Sequence, residues 1–462
     1  MSDQDVVTEE REDEDDAYAL DQKTVAAILE AVENGDAAEL TRLMEPLHAA
    51  DIADLLEQID SSDRRALITL YGKEFDGEIL SELDESIRED VISALSPQVL
   101  SDAVREMESD DVVDLLEDLE KPQQDAILEV LEAADRLAVE RALSFPEYSA
   151  GRLMQREVVM APEHWTVGEA IDYMRNKDDL PDQFYHLILV DPRLRPTGYV
   201  ALGKLMAARR DTKLTDLLET SFRTFDVDEE EGDVAYAFNQ YHLISAPVVD
   251  DDGRLVGVIT IDDAMIVLDE EHEEDILRLA GVGDESLSDS TLTIVRQRFP
   301  WLAINLGTAI LASAVIAQFE STLAAVVALA VLMPIVASMG GNAATQTMTV
   351  AVRALATRDL TRSNALRVIR RELVAGFLNG CVFAVLMGAI GMVWFGTPML
   401  GIVLGAAMII NLVVAGLAGV LVPLTLEKVG VDPALASGAF VTTVTDVVGF
   451  FAFLGLAAFL LI

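Results

Sequence analysis

One carboxylate stands where carboxylates are rare. Asp446 follows Thr442-Thr443-Val444-Thr445 between two uncharged runs, 433–445 and 447–462. An ionised side chain at the centre of a membrane helix costs about 3 kcal/mol unless water or a cation meets it. No basic residue lies near the middle of any apolar run to pair with it, so the chemistry it suggests is cation binding in a wetted path. A protonated Asp that ties helices together is the plainer alternative. A second group lies upstream, where Pro334 precedes Ser338, Gly340, Gly341, Asn342, Thr345 and Gln346 in another apolar run. Proline removes a backbone donor and frees a carbonyl, paired glycines admit a close neighbour, and the amides and hydroxyls add oxygens. Together these predict an interrupted, polar helix suited to line a pore. Glycine-mediated packing alone explains Gly340-Gly341 but not the amides beside them. Oxygen donors with one formal charge per chain suit a hard cation that keeps much of its water, as Mg²⁺ does, and a dimer would bring two Asp446 side chains to one axis.

The elements that hold these residues follow from hydropathy. Uncharged runs cover 299–319, 321–352, 373–426, 433–445 and 447–462, and about 20 apolar residues cross the hydrocarbon core as a helix. Gly396-Thr397-Pro398 divides the third run, and Val431-Asp432-Pro433 opens the last span. The expected spans are 300–319, 322–352, 373–395, 399–424 and 434–461, within a membrane domain 298–462. Six arginines, Arg353, Arg358, Arg362, Arg367, Arg370 and Arg371, separate spans two and three, which places that loop in the cytoplasm. The N-terminal region is then cytoplasmic and the C-terminus extracellular, with Lys428 on the inside.

The chain has 462 residues and a formal net charge of −47, yet only seven of its 33 basic and six of its 80 acidic side chains lie beyond residue 298. The charge belongs to the front. Such an excess argues against nucleic acid or anionic lipid as a partner of that region and favours cations, although most of it reads as a solubilising surface suited to high salt. The single cysteine, Cys381, excludes a disulfide framework or zinc cluster. Residues 1–21 read as a disordered acidic leader, without the features of a signal peptide.

Two internal echoes organise the front. Ala50-Asp51-Ile52-Ala53-Asp54-Leu55-Leu56-Glu57 returns 60 residues later as Asp110-Asp111-Val112-Val113-Asp114-Leu115-Leu116-Glu117, which predicts an all-α superhelical domain over 22–147. Its acids lie opposite its leucines. Tyr185-His186-Leu187-Ile188 returns as Tyr241-His242-Leu243-Ile244, and Thr197-Gly198-Tyr199-Val200 as Leu255-Val256-Gly257-Val258, an offset of 56 to 59. Duplicated strands with flanking helices resemble a tandem CBS pair of α/β fold, 148–215 and 216–268. Gly257-Val258-Ile259-Thr260-Ile261-Asp262-Asp263 is similar to the CBS ribose and phosphate motif, so Thr260 and Asp263 are expected to hold an adenine nucleotide such as ATP. The first copy has Ala201 and Lys204 instead, so one nucleotide site per pair, or none, is expected. A connecting helix over 269–297 carries Asp269-Glu270-Glu271-His272-Glu273-Glu274-Asp275 in its first half, where like charges repel unless cations sit among them.

With these residues together, the chain resembles the MgtE family of magnesium channels. The resemblance rests on the two helical echoes, Tyr148-Ser149-Ala150-Gly151-Arg152-Leu153-Met154, the acidic connecting helix, Pro334…Ser338-Met339-Gly340-Gly341-Asn342-Ala343-Ala344-Thr345-Gln346, and Val431-Asp432-Pro433-Ala434…Thr445-Asp446. It implies a multi-domain, multi-pass homodimer of the cell membrane that takes up Mg²⁺. The pore would lie between spans two and five with Asp446 inside, and the connecting helix would act as a plug. Intracellular Mg²⁺ would close the pore through Asp111, Asp114, Asp263, Glu271, Glu274, Asp275 and Asp432. The family commonly carries a further glycine and asparagine near Ala343-Ala344-Thr345, which this chain lacks. A secondary transporter of Mg²⁺, Co²⁺ or Mn²⁺, or a membrane-anchored nucleotide sensor, are the alternatives; no nucleophile–base set or phosphate loop points to an enzyme.

Overall fold

The computed structural model describes residues 20–282 and 291–462, apart from Lys73, Asp118, Glu120, Glu132, Asp178, Asp179, Asp182, Thr220 and Ser221. The expected leader lies almost wholly outside the described residues. The chain divides into two compact units, 1–270 and 271–462.

Among the described residues the first unit opens with ten helices: α1 (Gln22–Asn34), α2 (Ala37–Met44), α3 (Ala49–Gln58), α4 (Ser61–Tyr71), α5 (Gly77–Ser81), α6 (Glu85–Ala94), α7 (Pro97–Glu106), α8 (Ser109–Glu117), α9 (Lys121–Val130) and α10 (Ala133–Ala142). Aspartate recurs at their starts. Asp21, Asp36, Asp60, Asp76 and Asp84 each accept a hydrogen bond from a first-turn backbone N–H, satisfying donors that no helical carbonyl reaches and complementing the positive end of the helix dipole. Part of the acidic excess is therefore structural. The repeated segments become α3 and α8, which bury Ile52, Ala53, Leu55 and Leu56 in one copy and Val112, Val113, Leu115 and Leu116 in the other, all within a single apolar core.

The duplicated part has two three-stranded sheets with matching topology. In the first, β1 (Met160–Pro162) pairs parallel with β2 (His186–Val190), which pairs antiparallel with β3 (Pro196–Ala201). In the second, β4 (Phe225–Asp226), β5 (Ser245–Val249) and β6 (Leu255–Thr260) repeat the order. Helices α11 (Ala150–Leu153), α12 (Val167–Asn176), α13 (Leu202–Ala207) and α14 (Glu231–Tyr241) flank them. Both copies slip register at the same point, Leu189/Val190 and Val248/Val249. Both turn on an aspartate: Asp191 accepts from the backbone of Arg193 and Arg195, and Asp250 from that of Asp252 and Arg254. The structural offset is thus 59, with His186 matching Ser245. The Tyr-His-Leu-Ile echo at 56 does not mark equivalent positions, because His186 opens a strand whereas His242 ends a helix in the left-handed region (φ 53°).

The expected 269–297 connecting helix is not a separate element. The helix α15 runs from Ile261 to Leu279, continuing directly from Asp262 and Asp263, and the first membrane helix already begins at Thr291.

Among its described residues the second unit contains five helices long and apolar enough to cross a membrane: α16 (Thr291–Ala317), α18 (Ala328–Ala356), α19 (Ala365–Phe395), α20 (Pro398–Val429) and α21 (Pro433–Leu460), with a short α17 (Glu320–Ala325) before the second. The segment expected as one span from 322 is therefore a short helix followed by a long one. Pro334 does not interrupt α18, which continues through it; one missing backbone donor is tolerated where neighbouring helices hold both halves in place. Helix α20 lies at the centre of the bundle. A Cβ added to Gly376 would come within 2.6 Å of the Leu412 carbonyl oxygen, and one added to Gly401 within 2.5 Å of that of Gly388, so α19 and α20 approach at backbone distance, as small residues permit in membranes.

Candidate functional site

The polar residues of α18 share one face. Its buried positions, Leu332, Val336, Gly340, Ala344 and Met348, recur every four residues, while Pro334, Ser338, Asn342, Thr345, Gln346 and Thr349 are exposed. In hydrocarbon such a stripe would be costly, so it calls for water or a second copy in front of it. Gly341 borders the stripe and faces α21, since a Cβ there would lie 4.0 Å from Cγ2 of Thr442. One turn further on, Asp446 is half-buried and has no hydrogen-bond or ion-pair partner among the described residues. The hydroxyls of Thr442 and Thr443 donate to Gly438 and Ala439 carbonyls at 2.8 and 2.5 Å, which leaves their oxygens as acceptors.

Behind this face sits a residue that composition gave no reason to single out. Asn411 of α20 is fully buried; its Nδ2 donates to the Val336 carbonyl of α18 at 2.8 Å, and its Oδ1 has no partner. A Cβ on Gly340 would fall 2.2 Å from its Nδ2, and one on Gly449 of α21 would fall 2.9 Å from the same atom. Asn411 thus wedges α18 and α21 at a fixed spacing. The one available signal is an amide in an otherwise apolar run.

In the first unit the acids converge where α8 meets the duplicated domain. Gln155 Nε2 donates to Glu108 at 2.7 Å and Ser109 Oγ to Glu157 at 2.8 Å, while Thr260 Oγ1 donates to Asp263 at 2.7 Å. Burial, reinforced by neighbouring carboxylates, pushes Glu108 and Asp111 up to about 7. Asp263 rises to about 6 through burial, with the Thr260 hydroxyl opposing, and buried Asp110 rises well above the carboxylate range. The charge on Asp263 is among the causes for Glu108, Asp110 and Asp111 alike. Asp111 and Asp263 therefore lie together, and Asp114, whose charge acts on both, also forms an ion pair with Arg88 at 2.8 Å. Glu108, Asp110 and Glu157 were not singled out by the sequence. Asp110 replaces Ala50 of the first echo, which is its only signal.

In the second unit Arg278 joins Glu274 at 2.7 Å and Asp432 at 3.0 Å. Burial raises Asp275, Asp432 adds to the rise, and Arg278 opposes it. Glu271 is exposed on the same helix. Asp432 also caps α21, accepting from Ala434 N at 2.7 Å. Among the described residues no three His, Cys, Asp or Glu side chains converge closely enough to hold a metal ion directly. The proposed nucleotide residues, Thr260 and Asp263, bond to each other, and the cleft beside them, lined by Tyr185, His186, Ser245 and Val258, has a cavity of about 20 Å³. That holds about one water molecule; a nucleotide requires the cleft to open.

Comparison with known proteins places this geometry in a family. The family MgtE, described as a divalent cation transporter, matches residues 333–456, its intracellular N domain 47–148, and the CBS domain 150–211 and 214–270. The magnesium transporter MgtE of Thermus thermophilus is 33% identical over 449 residues, 96% of this chain and 99% of its own. This chain belongs to the MgtE family. The MgtE of Enterococcus faecalis is 33% identical over 69% of this chain and 71% of its own. A solved structure described as the cytosolic domain of the Mg²⁺ channel MgtE in complex with ATP is 28% identical, covering 53% of this chain and 99% of its own with a TM-score of 0.49. As an MgtE protein, the chain is a multi-pass membrane transporter of Mg²⁺ and not an enzyme.

Proposed function

We propose that this MgtE protein is a magnesium-selective channel, built as a homodimer, that admits Mg²⁺ to the cell and is closed by intracellular Mg²⁺. The observation that carries the reading is Asp446, unpartnered beside the exposed polar stripe of α18. A second copy facing that stripe would enclose Asn342, Thr345 and Gln346 with two Asp446 carboxylates, while Gly341 and Pro334 shape the wall. Hydrated Mg²⁺ fits such oxygens, because it sheds water reluctantly and is commonly held through it by one or two carboxylates. Continuous α18 and α21 favour a channel over an alternating-access carrier, whose sites are typically built from discontinuous helices.

Regulation follows from differential binding. Asp111 with Asp263, and Glu274 and Asp275 with Asp432, are acids on separate elements; Glu271 and Asp114 lie near them. Mg²⁺ bridging such groups favours the arrangement that brings them together, and its loss lets repulsion part them. The acidic region faces the cytoplasm and the C-terminus the outside, on the arginine asymmetry of the loop between α18 and α19. An adenine nucleotide would occupy the Thr260 cleft once opened. Unitary currents from the reconstituted protein in planar bilayers, blocked by Mg²⁺ on the cytoplasmic side, are the expected result. Saturable uptake without unitary conductance would establish the carrier instead, moving Mg²⁺, Co²⁺ or Mn²⁺.

A further inference from the structure

A crevice of about 290 Å³ opens between the end of α18 and the start of α19, floored by Val420 of α20. Its inner wall is apolar, with Val350, Ala351 and Ala354, and its mouth carries Arg367 and Arg371. The flanking segment 353–372 has six arginines against Asp359 and Glu372, a net of +4 in a chain whose total is −47. Those two acids also line the crevice and balance its two arginines, so the surplus positive charge lies on its rim, and each acid has a local contact. Glu372 meets Arg371 at 3.2 Å and Thr347 at 3.5 Å, and Asp359 accepts from the Thr357 hydroxyl at 3.1 Å. The exposed Arg367 guanidinium has no partner among the described residues.

The asymmetry of positive loops accounts for arginines at this level, but not for a cavity that passes from paired guanidiniums to an apolar floor. The uncharged runs stop at Val352 and resume at Leu373, so on the span reading the arginines fall at headgroup depth and Val350 at the start of the acyl layer. We propose that this crevice binds one anionic phospholipid, its phosphate on Arg367 and on the terminal guanidinium nitrogens of Arg371, whose Nε alone meets Glu372, and the root of one chain along Val350, Ala354 and Val420. Basic pockets between membrane helices recognise anionic headgroups in this way, and each nearby Arg contributes about 1 kcal/mol.

The test uses the full-length protein, purified in detergent and stripped of lipid, with phosphatidylglycerol, phosphatidylcholine or inorganic phosphate added. Bound lipid is counted by native mass spectrometry and the unfolding midpoint is followed in parallel. Phosphatidylglycerol should be retained and should raise the midpoint, and the other two should not. Arg367→Gln/Arg371→Gln should weaken its binding by about 30-fold. Ala354→Phe, which fills the cavity and keeps both arginines, should also abolish retention. Equal retention of phosphatidylcholine overturns the proposal, as does an equal effect of inorganic phosphate, which would indicate a free-phosphate site. So does an equal loss in Arg362→Gln/Arg370→Gln, outside the crevice, which would indicate a diffuse field. If Ala354→Phe splits the oligomer, the crevice is a protomer contact and the assignment fails. A variant that no longer folds is replaced by the other, since each removes a different half of the site.

Discussion

At the scale of single residues, two side chains in the membrane unit carry different burdens. Asp446 has no partner among the described residues, so its role is expected to be chemical, and Asp446→Asn should abolish Mg²⁺ uptake while leaving expression and unfolding temperature nearly unchanged. Growth of a magnesium-auxotrophic cell and a stability measurement on the purified variant check both halves. Asn411 is spent on packing. Gly340→Ala would drive a methyl into its amide, and overpacking of this kind costs about 1–3 kcal/mol. Combining it with Asn411→Ala should recover much of that loss, a coupling that a double-mutant cycle reads directly. Additive effects would show that the two residues do not share the contact that spaces α18 and α21. Asn411 was illegible in sequence because an amide in an apolar run says nothing about which neighbouring helix it meets.

At the scale of elements, α15 meets α21 through Leu279, packed on the cluster that holds Ala434 and Val441, and through Arg278. Arg278 pairs with both Glu274 and Asp432 and opposes the rise of Asp275. Arg278→Gln should leave these carboxylates to compete for Mg²⁺, so the rise in unfolding temperature on adding Mg²⁺ should exceed that of the wild type. A smaller rise would mean that Arg278 only holds the helices together. Asp432→Ala removes a helix cap as well as a candidate ligand, so about 1 kcal/mol of its effect is structural and remains at saturating Mg²⁺. The sequence displayed the acids of this helix but hid their pairing, since Arg278 and Asp432 are 154 positions apart.

At the scale of the whole molecule, the acids around α8 tie stability to pH and Mg²⁺. Glu108 and Asp111 titrate near 7 in the fold and Asp263 near 6, against roughly 4 in an unfolded chain. The folded form therefore holds more protons between those limits. Stability from these groups is fully present below about pH 4 and is lost as pH rises through 6 to 7. In the presence of a chelator the unfolding temperature of the full-length protein should fall from pH 5 to pH 8. Mg²⁺ should restore most of it at pH 8 and little at pH 5, where protons already neutralise the cluster. A Mg²⁺ effect independent of pH would place its binding elsewhere.

Five apolar spans, a duplicated sheet domain, the helical echo and the exceptional position of Asp446 are legible in the amino-acid sequence. Each of these is written in local periodicity or in a charge where none belongs, and neither depends on what packs against it. Tertiary structure alone decided which acids share a charge, because repulsion and burial act through space. Asp110 and Glu108 joined Asp111 and Asp263, and Asp114 acts on the same group while pairing with Arg88. It also decided that α18 stays continuous at Pro334, because the neighbours that hold a helix together across a missing hydrogen bond are remote in the chain. The partner that Asp446 lacks is a property of the packed bundle, and it is what turns an unusual residue into a candidate ion site.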